Sequence, residues 1–263
     1  MYDFTYHKPR SVAEAAKLAS GEAKLLAGGM TLIPTLKQRL ARPDALVDIS
    51  GLGDLKSIKV EGSTVTLGAM TTHAEVAHSA AVKNAIPALA QLAEGIGDPQ
   101  VRNRGTIGGS IANNDPAADY PAACIALGAT IHTNSRKLAA EEFFTGMFET
   151  ALKPGEVVTA VGFPVPEKAA YSKFPNPASR YAIVGVFVAK AKDGVRVGVT
   201  GAGPGVFRQK AMEKALSAKF AQSALDGIKV EAKGLNSDIH ASSEYRAHLV
   251  GVMAKRAVAA AGG

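Results

Sequence analysis

"GTIGGSIANNDPAADYP", residues 105–121, packs three glycines and two aspartates into a short span with little side-chain bulk. Glycine tolerates positive φ and leaves no Cβ between the backbone and a ligand. The Gly108-Gly109 pair follows an apolar segment and precedes a helical one. It therefore reads as a turn whose N–H groups form a concave anion site near a helix N-terminus. Gly28-Gly29, in "AKLLAGGMTLIPTLKQRL" (residues 23–40), stands in the same strand–turn–helix setting. Taken by themselves, the residues leave two readings open, plain tight turns or a diphosphate site.

The aspartates divide into two roles. "DPAADYPAACIALG" (115–128) predicts a helix with Asp115 as N-cap, Pro116 at its first position and Gly128 beyond its end. Asp119 falls in the first turn, where a carboxylate suits the helix dipole. With the cap already supplied, Asp119 is free to accept hydrogen bonds from ligand hydroxyls.

Outward from this stretch the chain alternates short strands and helices. Ser11 and Glu14 have capping-box spacing, and "AKLL" and "ALVDIS" (45–50) read as strands. Leu32, Leu36 and Leu40 recur at helical spacing, with Pro34 near the helix start. This opening unit ends near Gly53. A second unit begins with two strands in "LKSIKVEGSTVTLGAM" (55–70) and continues through the capping pair Thr72 and Glu75. It includes the helix opened by Pro87 and ends with strands in "EVVTAVGFPVP" (156–166). In the last third, "YAIVGVFVAKAKDGVRVGVTGAG" (181–203) is a hairpin about Asp193-Gly194. A terminal helix over 242–261 follows, with Arg246, Lys255 and Arg256 placed toward solvent. The expected fold is α+β, with lobes at 1–53 and 54–168 and a smaller C-terminal domain at 169–263.

Composition narrows the function. An apolar fraction of 47% and a charged fraction of 20% fit a globular protein of 263 residues. Cys124 is the only cysteine, which excludes an internal disulfide and a cysteine-ligated cluster within the chain. A reducing compartment follows. The first residues lack the apolar run of a leader, and no stretch is long enough to span a bilayer, so the expected location is the cytoplasm. The net charge of +7 raises nucleic-acid binding, but the cations are dispersed and aromatics reach only 6%, without Trp. No stacking platform results, and no nucleic-acid partner is expected. His73 and His78 are five apart, and His240 and His248 lie far along the chain, so no metal site is expected. "GAGPG" (201–205) lacks the third glycine of a dinucleotide fingerprint because position 206 is Val. No nucleophile elbow or acid–base set is visible.

"LLAGGMTLIPTLKQRL" (25–40) and "RNRGTIGGSIANNDPAADYPAACIALGA" (102–129) resemble the two flavin-binding motifs of one family. It is the FAD-carrying medium subunit of molybdenum hydroxylases, which include aerobic carbon monoxide dehydrogenase and xanthine dehydrogenase relatives. The similarity runs from "YDFTYHKPRSVAEA" (2–15) to "DIHASSEYRAHLVGVMAKRA" (238–257). It implies a two-lobed PCMH-type FAD-binding region, followed by a C-terminal domain of the carbon monoxide dehydrogenase flavoprotein type. On that resemblance, Leu26, Ala27, Gly28, Gly29, Met30, Thr31 and Leu32 wrap the pyrophosphate of noncovalent FAD. Thr106, Ile107, Gly108, Gly109 and Ser110 form the second loop. Asp119 matches an aspartate that binds the hydroxyl-rich part of the cofactor, and Val158 a hydrophobic contact. Lys173 and Tyr181 match a lysine and an aromatic beside the flavin, and Ile96 lines the pocket. Met30 stands where many relatives carry His or Thr, and Arg180 where an acidic residue is usual.

The resemblance further implies an electron-transfer subunit without catalytic residues of its own. It would serve a large molybdopterin subunit and a small subunit with 2Fe–2S clusters in a heterotrimer, and deliver electrons to an external acceptor. Two alternatives stay open: a self-contained FAD-dependent oxidoreductase of the same fold, and a module for another phosphate ligand.

Overall fold

Three short strands, Thr5–His7, Lys24–Leu26 and Ala45–Asp48, form a parallel sheet with the third in the middle. Parallel neighbours need crossovers, and helices Val12–Leu18 and Leu32–Lys37 supply them. Ser11 caps the first by accepting from the Glu14 amide. Ala15, Val47, Ile49, Leu52, Leu55 and Met70 close a small core beneath this sheet. The computed structural model describes residues 1–263.

The second unit is a five-stranded antiparallel sheet in the order Ile58–Glu61, Thr64–Gly68, Val158–Pro164, Thr130–Thr133, Lys137–Ala139. Two of its helices begin as expected. Thr72 and Glu75 complete a capping box, and Pro87 opens helix Pro87–Glu94, which buries Leu89 and Leu92. Helix Tyr120–Leu127 is buried at every position. A helix that is apolar all round belongs inside the protein, and this one lies against the C-terminal domain. A Cβ at Gly198 would come within 2.4 Å of the Ala122 carbonyl oxygen, so only glycine permits this approach.

That helix begins at Tyr120, not at Pro116 as the sequence predicts. The intervening carbonyls are spent elsewhere. Thr200 Oγ1 donates to the oxygens of Pro116 (3.0 Å) and Ala118 (2.6 Å), and the Gly201 amide donates to Pro116 (2.8 Å). Asp115 instead closes a turn, accepting from the Ala117 amide at 2.9 Å. Gly128 ends the helix in the left-handed region, as expected.

The C-terminal domain is a four-stranded antiparallel sheet, Lys168–Pro175, Ala182–Ala191, Gly194–Thr200 and Phe207–Arg208. Helices Lys210–Ala218 and Ser243–Ala260 contribute buried residues to its core. The hairpin at Asp193-Gly194 is present. Strand Lys168–Pro175 is not among the expected strands, because Lys168, Ser172 and Lys173 interrupt its apolar pattern. No helix is long and apolar enough to cross a membrane.

Arg246 corrects the reading of the terminal helix. It is 4% exposed, and its Nη1 donates to the carbonyls of Ile183 (2.7 Å) and Gly201 (2.9 Å), while Nη2 reaches Asp238 at 2.6 Å. The helix docks onto a sheet end whose carbonyls lack strand partners, and the guanidinium fork satisfies them. Each buried acceptor left without a partner costs about 1–3 kcal/mol. Arg246→Met is therefore expected to lower unfolding stability by about 3 kcal/mol, read from the urea midpoint at unchanged m-value.

Candidate functional site

The loop 27–31 connects the end of strand Lys24–Leu26 to helix Leu32–Lys37. Gly29 adopts φ +75°, which glycine accepts without cost. Gly28 is required for another reason: a Cβ there would lie 1.9 Å from the Arg104 carbonyl oxygen, so the two glycine segments touch backbone to backbone. The N–H groups of Gly28, Gly29, Met30, Thr31 and Leu32 donate to nothing within the chain. Thr31, at the N-cap, gives no side-chain cap. Successive unpaired amides at a helix entry form an anion cradle.

The second glycine pair behaves differently. Gly108 and Gly109 lie inside helix Ile107–Asn113, not in a turn before it. Their donors are committed: the Gly108 amide to the Ala69 carbonyl at 2.8 Å, the Gly109 amide to Thr106 Oγ1 at 3.1 Å. The Ile107 amide bonds to Thr71 at 3.0 Å, and the Ser110 amide to Thr106. A Cβ on Gly108 would meet Ala69 Cβ at 2.5 Å. This pair is a packing device that brings a helix against the sheet, and the expectation of free amides there is corrected.

Between the two segments runs a cleft of about 590 Å³, within the range of small-molecule and cofactor sites. Ala27 through Leu32 line it, as do Ile96, Thr106, Gly108, Gly109, Ser110, Asp119, Val158 and Tyr181. Leu26, Ile107 and Lys173 do not. Leu26 belongs to the strand, and Ile107 is sealed in the core.

Lys173 is held behind the wall. Its ammonium lies 3.0 Å from Asp119 Oδ1 and donates to the carbonyls of Gly95 (2.8 Å) and Arg180 (2.9 Å). Asp119 also accepts from the Tyr171 hydroxyl. Only 4% of Asp119 is exposed. Burial pushes its carboxyl up, against the pull of Lys173 and Tyr171 toward the ionised form. Asp119 is therefore already engaged rather than waiting with both oxygens free.

Several lining residues went unassigned by the sequence. Asp115, displaced from its predicted cap, faces the cleft, and burial raises its carboxyl above the usual range. Phe148 holds φ +56° at a hairpin tip, fixed by its amide on the Asn114 carbonyl (3.2 Å). No local signal announces a Phe in that conformation. His73, the first residue of helix His73–His78, lines the cleft at 5% exposure, with Nδ1 buried and unpartnered. Burial and the nearby Arg102 charge lower its pKa to about 4. Metal-ligand spacing was the wrong test for it; its place at the start of a capping box was the available signal.

Two lobes enclosing a cofactor-sized cleft, with a run of unpaired amides on one wall, define a protein that holds an anionic nucleotide-type group. The FAD binding domain of molybdopterin dehydrogenases matches residues 2–166, and the CO dehydrogenase flavoprotein C-terminal domain matches residues 169–261. The chain belongs to this family, the FAD-binding medium subunits of molybdenum-containing dehydrogenases. It is 36% identical to the carbon monoxide dehydrogenase medium chain of Hydrogenophaga pseudoflava, over 98% of this chain and 96% of that one. The glyceraldehyde dehydrogenase medium chain of Sulfolobus acidocaldarius is 35% identical over 93% and 91%. A chain of reconstituted CO dehydrogenase from Oligotropha carboxidovorans superposes with a TM-score of 0.92 at 35% identity, covering 99% of this chain and 98% of that one.

Two outcomes follow. Asp119→Ala strands the Lys173 ammonium, 10% exposed, and is expected to cost about 3 kcal/mol. Asp115→Ala removes one turn bond and is expected to cost about 1 kcal/mol; urea melts rank the two. The second concerns pH. Unfolded His73 takes a proton near its ordinary 6.5, whereas the folded ring resists until about 4. Stability of the cofactor-free chain should fall as pH drops through that window, by up to about 3 kcal/mol from this group. Melting His73→Gln beside the parent from pH 7 to 4 should show a shallower decline in the variant.

Proposed function

We propose that this chain is the FAD-carrying electron-transfer subunit of a molybdenum hydroxylase. It takes electrons from 2Fe–2S clusters on a small partner subunit and passes them to an external acceptor. Substrate oxidation belongs to a large molybdopterin subunit of the same heterotrimer. The observation that carries this reading is the run of unpaired amides from Gly28 to Leu32 at the edge of the cleft. Buried or ligand-facing backbone donors need acceptors, and a diphosphate offers several at the required spacing.

The chain's residues divide the work. Amides of the first loop take the phosphates, with Ala27 supplying bulk-free wall. Thr106, Gly108, Gly109 and Ser110 form the facing wall, where the absence of side chains keeps the cleft open. Asp119, steadied by Lys173 and Tyr171, presents its edge to hydroxyls. Ile96, Val158 and Tyr181 provide the apolar contacts a flat ring requires. Bound FAD supplies the redox chemistry, exchanging electrons singly or in pairs. With one cysteine, the chain has no means of holding the clusters itself, so the electron source is a partner. Its relatives bear the names of medium chains and FAD subunits of dehydrogenases.

The test is direct. The purified chain, incubated with FAD and desalted, is expected to retain it with a flavin absorption spectrum and to melt at a higher temperature in its presence. A colourless protein whose melting temperature ignores FAD overturns the reading.

A further inference from the structure

At the mouth of the cleft, the segment 176–181 of the C-terminal domain meets the loop 95–97 of the FAD-binding domain. Cations on carbonyls shape this place: Arg102 braces the loop 95–97 from within its own domain, and Lys173 and Arg180 reach it from the C-terminal domain. Arg102 Nη1 donates to Ile96 (3.2 Å) and Gly97 (3.1 Å), Lys173 donates to Gly95, and Arg180 Nη1 donates to Gly97 at 3.1 Å. Arg102 and Lys173 have carboxylate partners in Glu94 and Asp119. Arg180 has none. Its one side-chain hydrogen bond is to Gly97, and the rest of the guanidinium fork is uncommitted. Arg180 lines the cleft together with Ile96, Gly97 and Tyr181.

The backbone beneath Arg180 is costly. Its φ of +61° lies in the left-handed region, unfavourable for a residue with a Cβ. The segment enforces it. The Asn176 amide donates to Tyr181 (2.7 Å), the Arg180 amide to Asn176 (2.9 Å), and Asn176 Oδ1 accepts from the amides of Ala178 and Ser179. Strain that the surroundings over-determine is a pointer to function.

We propose that Arg180 is a positioning and charge-setting residue for the ring-binding end of the cleft. Its bond to Gly97 ties the two domains, so that Ile96 is held against the Tyr181 side. Its guanidinium, exposed and without a carboxylate within 4.0 Å, lines the mouth of the cleft. A fixed positive charge beside an electron-accepting ring favours the electron-rich form of that ring, so Arg180 raises the reduction potential at this site. The proposal rests on the reading that FAD occupies the cleft.

The experiment compares the full-length chain loaded with FAD with its Arg180→Gly and Arg180→Lys variants, reading FAD dissociation constant and midpoint potential. Glycine relieves the left-handed strain, so Arg180→Gly folds while removing both clasp and charge. We expect its FAD affinity to fall about tenfold, the loss of one charge-assisted bond, and its potential to shift downward. Arg180→Lys keeps the charge and should return the potential toward the parent value. An Arg180→Gly variant with parental potential overturns the proposal, whether or not affinity falls, since loss of affinity alone marks a purely structural clasp. A parent chain that retains no FAD overturns the functional reading and this proposal together.

Discussion

The buried meeting of Asp119, Lys173 and Tyr171 is the constraint on which the arrangement of domains depends. Asp119 stands at the start of the buried helix of the FAD-binding domain, and both partners stand on strand Lys168–Pro175 of the C-terminal sheet. Removing two charges from water is expensive, and the attraction between them compensates only when the remaining donors are matched. Here they are: the three donors of the ammonium face Asp119, Gly95 and Arg180. Tyr171 reaches the carboxylate because position 185, across the hairpin, is glycine. A Cβ there would stand 2.2 Å from the Tyr171 hydroxyl oxygen. One missing methyl thus allows the polar cluster, and the cluster fixes the wall of the cleft.

The same economy of side chains explains the two glycine segments, alike in sequence and unlike in role. Gly28 and Gly108 are glycines because protein backbone or a methyl group occupies the place of their Cβ. Their service to the ligand is indirect: Gly28 lets the first loop close on the Arg104 carbonyl, and Gly108 lets helix Ile107–Asn113 seat against Ala69, with the cleft left between. Only the first loop keeps its amides unpaired. Its residues are half-buried or exposed, so the amides are open to acceptors from outside the chain. An anion that satisfies them binds the folded state alone and so stabilises it by mass action.

Much of the fold was legible because local chemistry and tertiary structure agree. Ser11, Thr72 and Pro87 begin helices where the sequence places them, Gly128 ends one, and Asp193-Gly194 turns the hairpin. What was not legible depended on contacts far along the chain. Asp115 has every local mark of an N-cap, yet strand residues Thr200 and Gly201 claim the carbonyls that the first helical turn would need. Arg246 has the spacing of a solvated residue, yet carbonyls of Ile183 and Gly201 draw it inside. Strand Lys168–Pro175 is hidden by the lysine that makes it important. In the cleft, motifs revealed the loops but not the lining contributed by His73 and Phe148, whose roles depend on what the fold brings beside them.

The C-terminal domain is consequently part of the site rather than an appendage to it. The cradle comes from the first unit, the facing wall from the second, and Arg180 and Tyr181 from the third, with the half-buried Lys173 behind the wall. Without the last unit, Asp119 would lose both side-chain partners, and helix Tyr120–Leu127, apolar on every side, would show one face to water. The chemistry assigned to such a protein needs no nucleophile or proton relay, only a group held still in a defined field. The first unit meets the second where Gly28 closes on the Arg104 backbone, and the second meets the third through the Asp119–Lys173 pair and the bonds of Thr200 and Arg180, all with side chains that have no reactivity of their own.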